Sequence, residues 1–345
     1  LESNETASLE ACSEIHNNEE AISDCEIARD GVIDVVHPND DTLEEGAELT
    51  DIPDMHTQAV VTDVWERASA NFALAIPDDK RISAQRKWYL KHPEYMARVV
   101  KRAKPFLYYI TEEIEKRDMP MELVLLPIVE SAFDPFAYSH GRAAGMWQFI
   151  PGTGKRFGMQ QNWWYDGRRD VVASTQGALD YLTYLNEMFD GNWLHALAAY
   201  NSGEGRVQRA IKANKRAGKP TDFWNLNLPK ETRAYVPKLL ALADILKNKD
   251  EYAYAWPEVE NVAVIEVVDI GSQVDLAFAA ELAGMSLKEL HGLNPGFNRW
   301  ATSPEGPHRL ILPLDKAAAF SQALAKIDQK ERLNWVTIYI QNQLI

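Results

Sequence analysis

A carboxylate that is to give up and take back a proton near neutral pH has to be kept from water. The 345-residue chain has one stretch suited to that task. Residues 121–153 read MELVLLPIVESAFDPFAYSHGRAAGMWQFIPGT. A nearly continuous apolar run, Leu123 to Val129, delivers Glu130, and small, polar and glycine residues follow at once. The pattern places an acid at the end of a buried helix and at the floor of an irregular loop. Desolvation there disfavours the charged form and raises the pKa toward that of a general acid. The same spacing also suits a helix-terminal glutamate that simply reaches water, and the residues alone leave the two readings level. Asp134, before Pro135, reads as a turn residue and Glu204 as an acid in a first helical turn, so neither is given a catalytic part. Trp147 and the pair Trp163-Trp164 carry broad indole faces of the kind that line a binding cleft. Packing beneath a cleft suits Trp147 equally, and the core is the preferred place for the pair.

The elements that must position these groups are helical. From Val60 onward, Val64, Trp65, Ala68, Phe72 and Leu74 fall close to helical spacing, and an aromatic stripe continues through Trp88, Tyr89, Tyr95, Phe106, Tyr108 and Tyr109. Ala178, Leu179, Leu182, Leu185, Met188 and Phe189 recur at three and four, which predicts a helix of about 18 residues with one apolar stripe. Leu194, Leu197 and Ala198 predict another helix. Val207, Ala210 and Ile211 predict a third, and Val236, Leu239, Leu240, Ala243 and Leu246 a fourth. Residues 58–250 therefore read as all-α. After Trp256-Pro257 the pattern changes to short β-branched runs: a strand at Val262 to Val268 and a second at Leu310 to Pro313. Two short helices lie between them, one from about Gln273 to Ala283 ending at Gly284, and one opened by the Ser286-to-Glu289 capping box. The order is β-α-α-β over residues 258–315. Residues 316–345 begin helical, from Ala317 to Ile327, and end in an apolar run, Trp335 to Ile340, that looks like the start of a further module. Residues 1–57 are acidic and lack sustained periodicity, which predicts a largely disordered or extended segment.

Composition narrows the function classes. A net charge of −15 and a pI near 5.0 argue against a sequence-independent hold on nucleic acid, which needs clustered Lys and Arg. No run of about 18 apolar residues occurs, so no membrane-spanning helix is expected. Cys12 and Cys25 stand in the acidic segment, where two free or paired thiols are a simpler reading than a metal site. Leu9-Glu10-Ala11-Cys12 faintly resembles a lipoprotein cleavage box, but no charged and apolar leader precedes it here. Without an HExxH, an EF-hand loop or a phosphate-cradling glycine loop, no metal or organic cofactor is expected.

Several motifs then fall in order: Glu130-Ser131, Ser139 nine positions on, Gly145-Met146-Trp147-Gln148, Pro151 and Thr153, Ala199-Tyr200-Asn201, and Tyr235 in TRAYVPKLLA. Together they resemble the successive motifs of the family 1 lytic transglycosylases, in fair continuity from about residue 60 to 250. The resemblance implies a lysozyme-like, all-helical catalytic domain, mainly α as a fold class, acting on peptidoglycan glycan strands. It implies cleavage of the β-1,4 bond between N-acetylmuramic acid and N-acetylglucosamine, leaving a 1,6-anhydromuramoyl end. Glu130 would be the sole acid and base, with the substrate's N-acetyl group assisting. Ser139, Met146, Gln148, Tyr200, Asn201 and Tyr235 would be the substrate-binding set. Within it, Tyr235 would set its hydroxyl beside Glu130, and Asn201 would brace the Glu130 loop. Trp147 departs from the family pattern, which commonly has an aliphatic residue or Met there. The β-α-α-β segment resembles a LysM module, a small α+β fold that binds N-acetylglucosamine polymers. Here the usual Gly-Asp-Thr-Leu turn is replaced by Gly271-Ser272-Gln273-Val274 and residues 296–307 are inserted, which leaves sugar binding and a packing role both open. The expected setting is the bacterial periplasm or cell envelope, with outer-membrane association through a lipid anchor outside this chain, and a monomer as the working state. A lysozyme-type hydrolase and an inactive wall-binding protein are the competing readings.

Overall fold

Residue 63 shows how the first helix starts and what it is tied to. The Asp63 carboxylate accepts from the main-chain N–H of Trp65 at 3.2 Å, capping helix α1 (Val64–Ala70), and from Val259 N at 3.0 Å, far along the chain. The structure is a computed structural model and describes residues 61–333. The expectations for residues 1–57, for Cys12 and Cys25 and for the Trp335-to-Ile340 run lie outside the described residues. All described residues belong to one compact unit, 59–345. Helix α1 stops at Asn71, so Phe72 and Leu74 pack against the core from the segment that follows rather than from the helix the spacing predicted.

Helices α2 (Lys80–Leu90), α3 (Pro93–Ala103) and α4 (Leu107–Glu115) lead to a 3-10 segment, Met121–Leu125, that runs straight into α5 (Leu126–Ser131). Pro127 at the second position of α5 loses no hydrogen bond there. Helices α6 (Pro151–Arg156), α7 (Val171–Met188), α8 (Trp193–Ser202), α9 (Glu204–Arg216) and α10 (Lys230–Lys247) complete the helical part. Helix α7 is the long helix the apolar stripe predicted, and Leu179, Leu182 and Leu185 on it are fully buried. It begins at Asp170, whose carboxylate accepts from Ala173 N at 2.7 Å. Helix α10 buries Val236, Leu239, Leu240, Ala243 and Leu246, and carries Pro237, which cannot donate to the carbonyl four residues back.

The small part is a two-stranded antiparallel sheet with two helices between its strands: β1 (Ile265–Asp269), α11 (Leu276–Leu282), α12 (Leu287–Leu293) and β2 (Arg309–Pro313), followed by α13 (Leu314–Leu324). Val267 pairs with Ile311. The first strand is displaced from the predicted 262–268, since a ladder extends only as far as its partner reaches, and Val262 is half exposed. Helix α11 starts later than predicted because the Asp275 carboxylate caps it, accepting from Ala277 N and Phe278 N at 2.8 and 3.0 Å. The capping box at Ser286 forms as read: Ser286 Oγ accepts from Glu289 N, and the Glu289 carboxylate accepts from Ser286 N. Helix α13 begins three residues earlier than predicted, directly after Pro313. Strand β2 is buried on both faces, Leu310 and Leu312 in the small core and Ile311 in the large one, which explains its unbroken apolar run. Among the described residues, no helix is long and apolar enough to cross a membrane.

Candidate active site

Glu130 sits in the last turn of α5, which ends abruptly. Ala132 and Phe133 both take left-handed backbone angles, φ of 54° and 59°, where non-glycine residues are strained by about 1–2 kcal/mol each. Two bonds hold this turn, Ala132 N to Ile128 O at 3.1 Å and Phe133 N to Pro127 O at 3.0 Å. Ser131 ties the helix end to the next loop by donating to Met146 O at 2.9 Å and accepting from Asp134 N at 3.1 Å. Asp134 makes the predicted turn, its carboxylate accepting from Phe136 N.

The loop from Ala137 to Ile150 folds back on itself. Ala144 bridges to both Tyr138 and Phe149, and Ser139 exchanges main-chain bonds with Ala143 and Arg142. The Ser139 hydroxyl accepts from Ala143 N at 3.0 Å, so it caps this turn. Gly145, at φ 81°, lies so close to residue 168 that a Cβ would come within 1.8 Å of the Arg168 carbonyl oxygen. Gln148, also left-handed at φ 50°, folds its amide back onto Gly145 O at 2.7 Å. The Met146 side chain is buried, and only its carbonyl takes part, accepting from Ser131. Trp147 is fully buried and donates through its indole N–H to Thr175 Oγ1 at 3.1 Å; of its two sequence readings, the structure has the packed one. Tyr200 donates to Trp147 O at 2.8 Å, so its hydroxyl fixes the same loop.

Tyr235, buried on α10, donates its hydroxyl to a Glu130 carboxyl oxygen. Burial pushes the Glu130 carboxyl up to about 8; the Tyr235 bond pulls the other way, Glu231 adds to the rise, and Lys238 opposes it. Burial, and then the Glu130 charge, hold both Tyr235 and Tyr200 well above the ordinary phenol range, so their hydroxyls stay protonated. Asn201 serves a different partner from the one expected. Its carbonyl accepts from Thr232 Oγ1 at 2.8 Å and its amide donates to Glu231 at 3.5 Å, so it braces the first turn of α10 and not the Glu130 loop. That turn carries Tyr235, and the bracing reaches Glu130 through it. Glu204 opens α9 as predicted, and its carboxylate also accepts from Tyr181 and pairs with Arg156 at 3.4 Å.

Two residues of the site were not singled out from the sequence. Arg168 is buried, paired with Asp166 at 2.7 Å, and donates to Arg142 O and Phe149 O at 2.8 and 3.2 Å, holding both sides of the loop. Only its place after a glycine, in an otherwise polar run, could have marked it. Tyr181 packs its ring 5.3 Å from Tyr200, but its position on the α7 stripe reads as ordinary core. Of the Trp163-Trp164 pair, Trp164 packs half-buried against the small core and Trp163 departs from the core preference. Trp163 is 53% exposed, with the Arg299 guanidinium over its ring at 3.9 Å, because the inserted residues 296–307 bring Trp300 and Arg299 to that corner and the three indoles pack edge to face on the surface. Among the described residues, no cluster of three or more His, Cys, Asp or Glu could hold a metal ion.

Comparison with known proteins gives two family matches: the transglycosylase SLT domain over residues 108–223, and the LysM-like domain of lytic transglycosylase MltD over residues 264–329. The first includes Glu130 and the loop it faces but stops short of Tyr235. The chain is 48% identical over 263 residues to the membrane-bound lytic murein transglycosylase D of Escherichia coli K12, covering 76% of this chain and 58% of that protein. It is 43% identical over 175 residues to a putative tributyltin chloride resistance protein of Alteromonas sp. M-1, covering 51% of this chain and 83% of that one. The chain thus spans under two thirds of the length of the Escherichia coli relative. The 70 kDa soluble lytic transglycosylase of Escherichia coli aligns over 50% of this chain and 31% of its own at 20% identity, with a TM-score of 0.35.

Proposed function

This chain belongs to the lytic transglycosylases that carry the SLT domain, and on that premise we propose that it cleaves peptidoglycan without water. The scissile bond is the β-1,4 link between N-acetylmuramic acid and N-acetylglucosamine, and the product end is 1,6-anhydromuramic acid. Glu130, neutral below about pH 8, protonates the glycosidic oxygen as the C1–O bond breaks. The substrate's N-acetyl oxygen shares the positive charge left at C1. The Glu130 carboxylate then takes the proton of the C6 hydroxyl, whose oxygen closes on C1. The proton given in the first step returns in the second, so one carboxyl suffices. Tyr235, by donating to Glu130, stabilises the ionised form that exists between the two steps.

In this reading Ser139, Gln148 and the Met146 carbonyl meet the sugar, Tyr200 holds the loop that presents them, and Asn201 steadies Tyr235 through α10. The catalytic domain is the 58–250 segment and the LysM-like module the 258–315 segment. The enzyme works as a monomer in the bacterial envelope, on the periplasmic side of the outer membrane. One observation carries the proposal: a half-buried carboxyl whose charged form burial disfavours, with a buried phenol as its hydrogen-bond donor. Mass spectrometry of sacculus digests tests it. Wild type is expected to release anhydro-ended muropeptides and Glu130→Gln to release none. Reducing-end products would instead make the enzyme a hydrolase, and digestion by the variant would remove Glu130 from the mechanism.

A further inference from the structure

Beside the catalytic loop lies a groove of about 740 Å³, walled on one side by α3 and the Asp134–Phe136 turn and on the other by α12 and the start of α13. Its volume falls within the roughly 300–1,000 Å³ of pockets that engulf small ligands. The floor is apolar, with Phe106, Met285 and Leu293. Its rim holds three cations, Lys101, Arg102 and Lys316, in a chain whose net charge is −15. The two carboxylates present are engaged by their own turns: Glu289 accepts from Ser286 N and Oγ, and Asp134 from Phe136 N; of the cations, Lys316 Nζ donates to Gly284 O at 3.0 Å and keeps two further N–H groups. Arg102 also reaches Ala132 O at 3.5 Å, two residues beyond Glu130, so the groove opens from the active-site loop itself. Resting on the reading of the chain as a peptidoglycan enzyme, we propose that this groove seats a short acidic peptide, the stem attached to the muramic acid of the strand being cut.

The chemistry favours the stem over the glycan. Neutral N-acetylhexosamines offer three cations nothing to pair with, and the exposed ring of the groove, Phe136, already packs against His291 at 5.2 Å. A stem peptide supplies free carboxylates for Lys101, Arg102 and Lys316, and methyl groups for the floor. A Cβ on Gly292, in α12, would meet no atom within 4 Å, so the wall of the groove is open there. The enzyme therefore prefers peptide-bearing to denuded strands.

The test uses the whole chain and N-acetyl-L-Ala-γ-D-Glu-meso-diaminopimelyl-D-Ala, titrated calorimetrically at low salt. Wild type is expected to bind, the double variant Lys101→Glu with Lys316→Glu to bind about tenfold more weakly, and added salt to weaken wild-type binding. Gly292→Trp fills the groove from a helix position that tolerates a side chain, and is expected to abolish binding with its melting temperature retained. Absence of wild-type binding, or equal binding by all three proteins, would overturn the proposal. On sacculus strands, Gly292→Trp should lower the ratio of peptide-bearing to denuded cleavage; an equal fall on both would assign the groove to glycan and overturn the proposal too. A chain that binds the peptide and cleaves neither strand would refute the enzymatic reading while leaving the groove as assigned.

Discussion

Glutamates 130 and 289 both stand at helix ends, one in the large helical part and one in the small module, and they are treated in opposite ways. Glu130 is at the carbonyl end of α5, half-buried, with its charged form disfavoured by burial. Glu289 is in the first turn of α12, in solvent, where the N–H and hydroxyl of Ser286 hold its carboxyl below the usual range. In the proposed mechanism the first placement gives up stability for reactivity, and the second does the reverse. One residue type thus has its charged form disfavoured or favoured according to which end of a helix it occupies and how far burial removes it from water.

The sharpest way to break this contrast is Glu130→Gln. It should lower turnover by at least about 10²–10⁴-fold. It should also stabilise the fold in alkali. A carboxyl whose pKa is raised on folding favours the native state fully below the ordinary carboxylate range, and that contribution is lost as pH rises toward about 8. Denaturant titrations at pH 9 should therefore find the variant more stable by at most about 5 kcal/mol, and titrations at pH 4 should find little difference. Asp170 comes next, as the cap of α7 and the partner of Arg309 across to the module at 2.7 Å. Asp170→Ala removes both bonds and should cost about 3 kcal/mol by the same measurement. Tyr235→Phe deletes the donor that favours the ionised Glu130, so the alkaline limb of the rate profile should move to higher pH and kcat should fall about tenfold. The smallest effect belongs to Ser286→Ala, about 1 kcal/mol, seen as a lower melting temperature.

What could be read in the sequence was whatever a single segment decides for itself. The α7 stripe, the Ser286 capping box and the buried run leading to Glu130 all follow from near neighbours, and all appear in the structure. Misplacements arose where a distant segment decides. The first strand shifts because β2 sets its ladder, Asn201 turns to Thr232 across the site, and Trp163 is carried to the surface by contacts with residues near 300. Arg168 went unnoticed for the same cause: its importance lies in the carbonyls of Arg142 and Phe149, which no spacing around residue 168 announces. Motif order revealed Tyr235, which periodicity alone would have assigned to the core.

Tyr165 belongs to the chain's helical half yet lies in the small core, its ring 5.4 Å from Phe297. Gly296 lies so close against it that a Cβ there would come within 2.8 Å of the Tyr165 ring, and Ile311 makes the return crossing into the large core. The seam between the two parts is consequently interior rather than hinge. Cutting the chain near residue 258 would not free a self-sufficient domain; it would leave a greasy socket and an Asp170 carboxylate without its Arg309 partner. Grafting the module elsewhere would require Tyr165 to travel with it.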